Sequence, residues 1–140
     1  MTKLSRSEIQ TIEKYWTDYE DYKKQLKYRE WELLNPHNEE ALNFNAKSSK
    51  ISNPTHNKAI ILMNDVYYQN LNRIVKTVED IYEELDDDLK TIVDMRYWDK
   101  ENNCYEWQHI ADELYMSVQR VLRKRNALID MTAKRIGWMM

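Results

Sequence analysis

Across its 140 residues the chain has one glycine and two prolines. Tight turns with φ > 0 draw on Gly, and a sheet needs many such turns, so β architectures are strongly disfavoured. Helices joined by few breaks need almost none, and an all-α fold is expected. Apolar residues at 42% and charged residues at 32% suit an ordinary globular protein rather than a disordered one. Cys104, the single cysteine, excludes an internal disulfide framework and leaves a zinc site without a second thiol. The opening MTKLSRSEIQ has no apolar h-region and no stretch has the length of a membrane span. No membrane partner is expected, and a cytoplasmic location is.

Apolar spacing divides the chain. Residues 5–34 read as one long amphipathic helix, with Ser5 or Ser7 to cap its start. Ile12, Tyr19, Leu26 and Leu33 repeat every seven residues, while the neighbouring row of Ile9 and Trp16 fails at Lys23 and Glu30. One sustained row and one failing row suggest packing against another helix rather than a free coiled coil. Asn35-Pro36 stops the helix, since a residue before Pro is driven out of the helical region. Residues 35–55, rich in Asn, Ser and Lys, read as a mobile loop with room for a short turn at Ala41–Phe44. A second long helix is expected over 56–85, with rows Ile60, Tyr67, Ile74, Ile81 and Leu71, Val78, Leu85. Asn64 interrupts the second row, either as a register-setting polar residue or as one that faces solvent. The two helices suit an antiparallel hairpin, so residues 1–86 are expected to form a helical hairpin or oligomerisation region.

Seven acids fall within residues 79–88, read foremost as a solvated face and otherwise as a patch for a basic partner such as a polymerase subunit, with Asp87 or Asp88 suited to cap the next helix. Leu89, Ile92, Val93 and Tyr97 then mark a short helix, and Asp99–Asn103 a polar break. Further helices are expected over Glu106–Leu114 and Ser117–Ile136, pivoting at Tyr115-Met116, with Gly137 ending the last in a left-handed conformation.

The segment WQHIADELYMSVQRVLRKRNALI, residues 107–129, has the order of a helix-turn-helix. Ala111 is the small residue where two helices cross, and Ile110, Leu114, Met116 and Val121 supply their shared core. Ser117 caps a helix whose early outward residues would reach base edges in the major groove. Gln119 suits an adenine edge, Arg123 a guanine edge and Val118 a thymine methyl. Arg120, Lys124 and Arg125 suit phosphates, as do Gln108 and His109 at the start of the first helix. The net charge of −3 hides a split: residues 106–140 carry six Lys/Arg against four Asp/Glu, or +2, which leaves −5 for the rest. A phosphate backbone feels that local charge. Residues 87–140 are therefore expected to bind double-stranded DNA.

Two resemblances extend this. Residues 87–136 resemble region 4 of bacterial sigma factors: a helix ending in MRYW (Met95–Trp98), a break, then IADELYMS leading into a basic helix. The chain as a whole resembles the RinA family of phage transcriptional regulators, through YKKQL (Tyr22–Leu26), LLNP (Leu33–Pro36), the Ser-Lys run of the polar loop, IADELYMS and Ile136-Gly137. That likeness implies an activator of phage late genes for packaging and morphogenesis in a bacterial host cell. For such an activator at its promoter, the long helices would form a homodimer or hold the reading head, and the acidic surface or the loop would meet host RNA polymerase. Two positions depart from the pattern. Tyr115 stands where many such turns have Gly, and Lys124 stands where sigma-like helices bury an apolar residue, with Leu122 at an outward position.

Two rival readings keep the DNA-binding head: a small-terminase-like packaging subunit and a helix-turn-helix repressor. Catalysis finds no support, because His37, His56 and His109 are scattered and a chain with one Gly has no phosphate-cradling loop. No enzyme activity, cofactor or metal is expected. Trp98 and Trp107 are expected as core anchors rather than stacking platforms, and Trp138-Met139-Met140 as an apolar tail.

Overall fold

The computed structural model describes residues 4–35, 54–101 and 104–138. They form helices, with no strand among the described residues, as the scarcity of glycine requires. The elements are α1 (Arg6–Thr17), α2 (Tyr19–Leu34), α3 (Pro54–Asn64), α4 (Val66–Glu84), α5 (Asp87–Val93), a π-helical turn (Asp94–Trp98), α6 (Trp107–Glu113) and α7 (Val118–Ile136). Most of the expected 35–55 loop, including Ala41–Phe44, lies outside the described residues, as do 102–103 and 139–140. No helix among the described residues is long and apolar enough to cross a membrane.

Caps account for several helix starts. Ser5 opens α1 in a full capping box: its hydroxyl accepts from the Glu8 N–H, and the Glu8 carboxylate accepts from the Ser5 N–H. Those bonds hold the Glu8 carboxyl below its usual range. Asp86, one residue ahead of the expected Asp87 or Asp88, caps α5 by accepting from the Leu89 N–H at 2.8 Å. Asp87 and Asp88 lie instead in the first turn, where the helix dipole favours them.

Both expected long helices are broken. Asp18, at φ −99° and ψ 17°, separates α1 from α2. Side chains distant in sequence claim the carbonyls there: the Trp98 indole N–H donates to Trp16 O at 2.9 Å, and the Lys100 ammonium to Thr17 O at 2.9 Å. Asp65 separates α3 from α4 through its side chain. Its carboxylate accepts from the Tyr68 N–H at 2.8 Å, as an N-cap does, and takes two bonds from the Arg29 guanidinium at 3.0 and 2.7 Å. The Arg29 bonds hold the Asp65 carboxyl below the ordinary carboxylate range.

Residues 1–19 and 74–140 form one compact unit, and residues 20–73 another. The boundary expected between 86 and 87 is thus displaced, because α1 and the later turns of α4 pack with the C-terminal helices. α1 lies against α7 and the π-helical turn, and α5 and α6 also pack on α7. Ile12 and Trp16 of α1, Ile92 of α5, Ile110 of α6 and Leu128 of α7 are all fully buried. Among the rows expected on the second helix, Leu71, Val78, Ile81 and Leu85 are buried, while Ile60 and Tyr67 are exposed. Asn64 is exposed as well.

A buried hydrogen-bond chain ties α1 to α7. The Trp16 indole N–H donates to Thr132 Oγ1 at 3.0 Å, and Thr132 donates to the Leu128 carbonyl at 2.8 Å. Both side chains are fully buried. Thr132→Val keeps the shape but orphans the indole donor, so it should cost about 1–3 kcal/mol in urea unfolding, while Thr132→Ser should cost much less. Equal stability of Thr132→Val and the parent chain would show that the bond contributes nothing.

Candidate nucleic-acid interface

α6 and α7 are joined by four residues, Leu114–Ser117. Ile110, Ala111 and Val121 have no exposed surface, and the absence of a large side chain at Ala111 lets the helices approach. Leu114 and Met116 are half-buried beside them. Tyr115 takes φ 55°, the left-handed conformation a glycine adopts at no cost, and its side chain is 96% exposed. That conformation lets the Met116 N–H reach back to the Ala111 carbonyl at 3.1 Å. The Ser117 hydroxyl then caps α7 by accepting from the Arg120 N–H at 3.1 Å. At the other end Gly137, with φ 100°, terminates α7.

The capped end of α7 presents Gln119, Arg120 and Arg123 to solvent, with Val118 half-buried beside them. Residues three and four apart share a helix face, so Arg123 stands beside both Gln119 and Arg120. Among the described residues neither arginine meets a carboxylate. Gln108 and His109, at the start of α6, are exposed too. Gln108 donates to Asp112 Oδ1 at 3.0 Å, and His109 stacks on Tyr105 with ring centroids 4.6 Å apart.

Lys124 and Arg125 are placed otherwise than expected. Arg125 follows Val121 by four residues and precedes Leu128 by three, so it belongs to the stripe of α7 that faces the core. Its guanidinium lies 3.3 Å from Glu13 Oε1 and 5.5 Å from the centre of the Trp107 ring, and donates to Asn126 Oδ1 at 2.9 Å. Lys124 sits at the edge of that stripe, with its ammonium 3.6 Å from Asp86 and 3.8 Å from Asp88. Neither projects outward as Arg123 does. Leu122, expected outward, is half-buried. Lys134 is an exposed cation missed by the sequence reading. Its signal was the spacing of eleven residues from Arg123, three helical turns along one face, or about 16 Å.

Glu13 holds this arrangement. While Oε1 faces Arg125, Oε2 accepts from the Tyr97 hydroxyl at 2.6 Å. Burial, reinforced by that carboxylate, pushes the Tyr97 hydroxyl far above its ordinary range, so it remains a donor at any working pH. The Arg96 guanidinium lies 4.6 Å from the Trp107 ring centre and donates to the Tyr105 carbonyl at 3.0 Å. Trp98 and Trp107 therefore serve as joints between helices. No group of three or more His, Cys, Asp or Glu with metal-holding geometry occurs among the described residues.

The chain belongs to the family described as protein of unknown function DUF722, whose model matches residues 9–134. No curated protein and no solved structure matches it.

Two outcomes follow from this geometry. Arg125→Ala should destabilise the fold by about 1–2 kcal/mol in chemical unfolding, between the values for exposed and buried ion pairs. An unchanged midpoint would mean that Glu13 and Trp107 draw nothing from it. Tyr115→Gly should raise stability by roughly 1 kcal/mol by relieving the left-handed strain, which a higher melting temperature would report.

Proposed function

We propose that this protein binds double-stranded DNA in a sequence-specific manner, with α6 and α7 acting as a helix-turn-helix and α7 entering the major groove. The observation that carries this reading is the outward set Gln119, Arg120 and Arg123 at the capped end of α7. An arginine and a glutamine one helical turn apart match the bidentate edges of guanine and adenine. Arg120 serves phosphates, with Gln108 and His109 contributing from α6. Lys134 continues the exposed face toward the duplex backbone. Arg125 acts as a positioning residue on the inward side of α7, and Lys124 is held by carboxylates unless phosphates compete for it.

The resemblance to RinA-type phage regulators and to sigma region 4 makes transcription activation of phage late genes the favoured role, with host RNA polymerase as its partner. The helices described within residues 20–73, on which Tyr28, Trp31, Met63 and Val66 are exposed, favour self-association alongside it. Exposed apolar residues on such a region also keep the packaging-subunit reading in play. A dimer in light scattering fits the activator, and a ring fits the packaging subunit.

Arg123→Ala should cost about 1–3 kcal/mol on the preferred duplex and relax sequence choice at one position. Arg120→Ala should weaken all duplexes alike and reduce the salt slope by about one unit. Selection of bound sites from random duplexes, followed by titration at several salt concentrations, measures both. Equal loss on every sequence for Arg123→Ala removes it from base reading, and indifference of the parent chain to every duplex at low salt ends the proposal. A promoter reporter then separates activator from repressor by sign.

A further inference from the structure

We infer that α2 is a dimer contact, pairing antiparallel with α2 of a second copy of this chain about a two-fold axis beside Tyr28. The inference rests on the self-association proposed for the helices within residues 20–73, to which it gives a geometry, and it is independent of the DNA-binding face of α7.

α2 carries apolar side chains on both of its sides. At about 100° per residue, Leu26 and Leu33 fall on one side and Tyr28 and Trp31 on the other. The chain itself occupies the first side. Leu26 and Leu33 are half-buried there, Arg29 bonds Asp65, and the Tyr67 hydroxyl donates to Gln25 at 3.3 Å. On the second side Tyr28 stays 61% exposed and Trp31 48%. A helix that is apolar on two sides packs against a neighbour on each. Residues 20–73 also need more core than they have, because Leu71 is the one buried side chain among those described there.

Charge names the neighbour. α2 holds four acids and four bases, so two copies of it meet without net repulsion. Lys24, Tyr28 and Glu32 are all exposed and lie four residues apart, which makes them one ridge of the helix. In an antiparallel pair centred on Tyr28, each Lys24 comes beside the partner's Glu32, and the two-fold axis repeats the contact. A parallel pair would instead set Lys24 against Lys24 and Glu32 against Glu32. Lys24 meets no carboxylate among the described residues. Glu32 lies 3.7 Å from Arg29, whose guanidinium is already committed to Asp65 at 2.7 Å. A nucleic acid would meet the exposed Glu20, Asp21 and Glu32 beside the same rings, which disfavours it.

The test is sedimentation equilibrium of the full chain over a concentration series, where a dimer is expected. Tyr28→Ala should weaken that dimer about tenfold or more by removing its centre. Lys24→Glu and Glu32→Lys should each weaken it about tenfold, since each turns two attractions into two repulsions. Both exchanges in one chain should restore the parent affinity to within about threefold. Circular dichroism should show parent helicity throughout, the three positions being exposed. A chain that stays monomeric at millimolar concentration overturns the self-association and this pairing together. A dimer that these variants leave unchanged, or that the combined exchange fails to restore, overturns the pairing through α2 and leaves self-association standing.

Discussion

One carboxylate, that of Glu13, sets the geometry of the C-terminal helices. It joins α1 to the Tyr97 hydroxyl and to the Arg125 guanidinium, two groups that are costly to bury without a partner. One turn further on, Trp16 inserts its ring into the same unit and bonds Thr132. α1 therefore completes the C-terminal helices, although 112 positions separate Glu13 from Arg125. The buried stripe Val121, Leu128, Ile129 and Ala133 fixes which face of α7 turns inward, and the Arg125–Glu13 pair lies on that same side, away from Gln119, Arg120 and Arg123.

Local chemistry was legible in the sequence. The scarcity of glycine disfavoured sheets, and Ser117, Gly137 and one of Ser5 or Ser7 stood as helix ends, whereas Tyr115, a departure from the usual turn Gly, keeps the left-handed conformation instead of reshaping the turn. What escaped was caused at a distance. At Asp18 the carbonyls of the break are held by Trp98 and Lys100, and at Asp65 a local cap on the Tyr68 N–H is joined by Arg29, distant in sequence. Seven-residue rows run straight through both points, so periodicity alone joins what tertiary bonds divide. Arg125 is a different case. Its spacing from Val121 and Leu128 put it on the core stripe, yet its place in a run of four cations within six residues suggested a phosphate contact. Phase was the better guide.

Charge is distributed on the same logic. Acids at the end of α4 and start of α5 are largely matched by cations of α7, through Lys124 with Asp86 and Asp88 and through Arg135 with Glu84. These pairs are solvent-accessible and each contributes little stability. Their larger effect is on the field: they withdraw cations from one edge of α7 and leave Arg120, Arg123 and Lys134 as its outward charge. A chain of net charge −3 can thereby keep one positive face.

The five residues Asp94–Trp98 continue α5 with a wider winding, which accommodates one more residue than an α-turn does. Removing that extra residue would let an ordinary helix run on, and everything after it would swing by about 100°. The Tyr97 hydroxyl would leave Glu13 and the Trp98 indole would leave α1. The bulge thus works as a phase corrector, and insertions or deletions of a single residue should be far less tolerated in this short stretch than substitutions are.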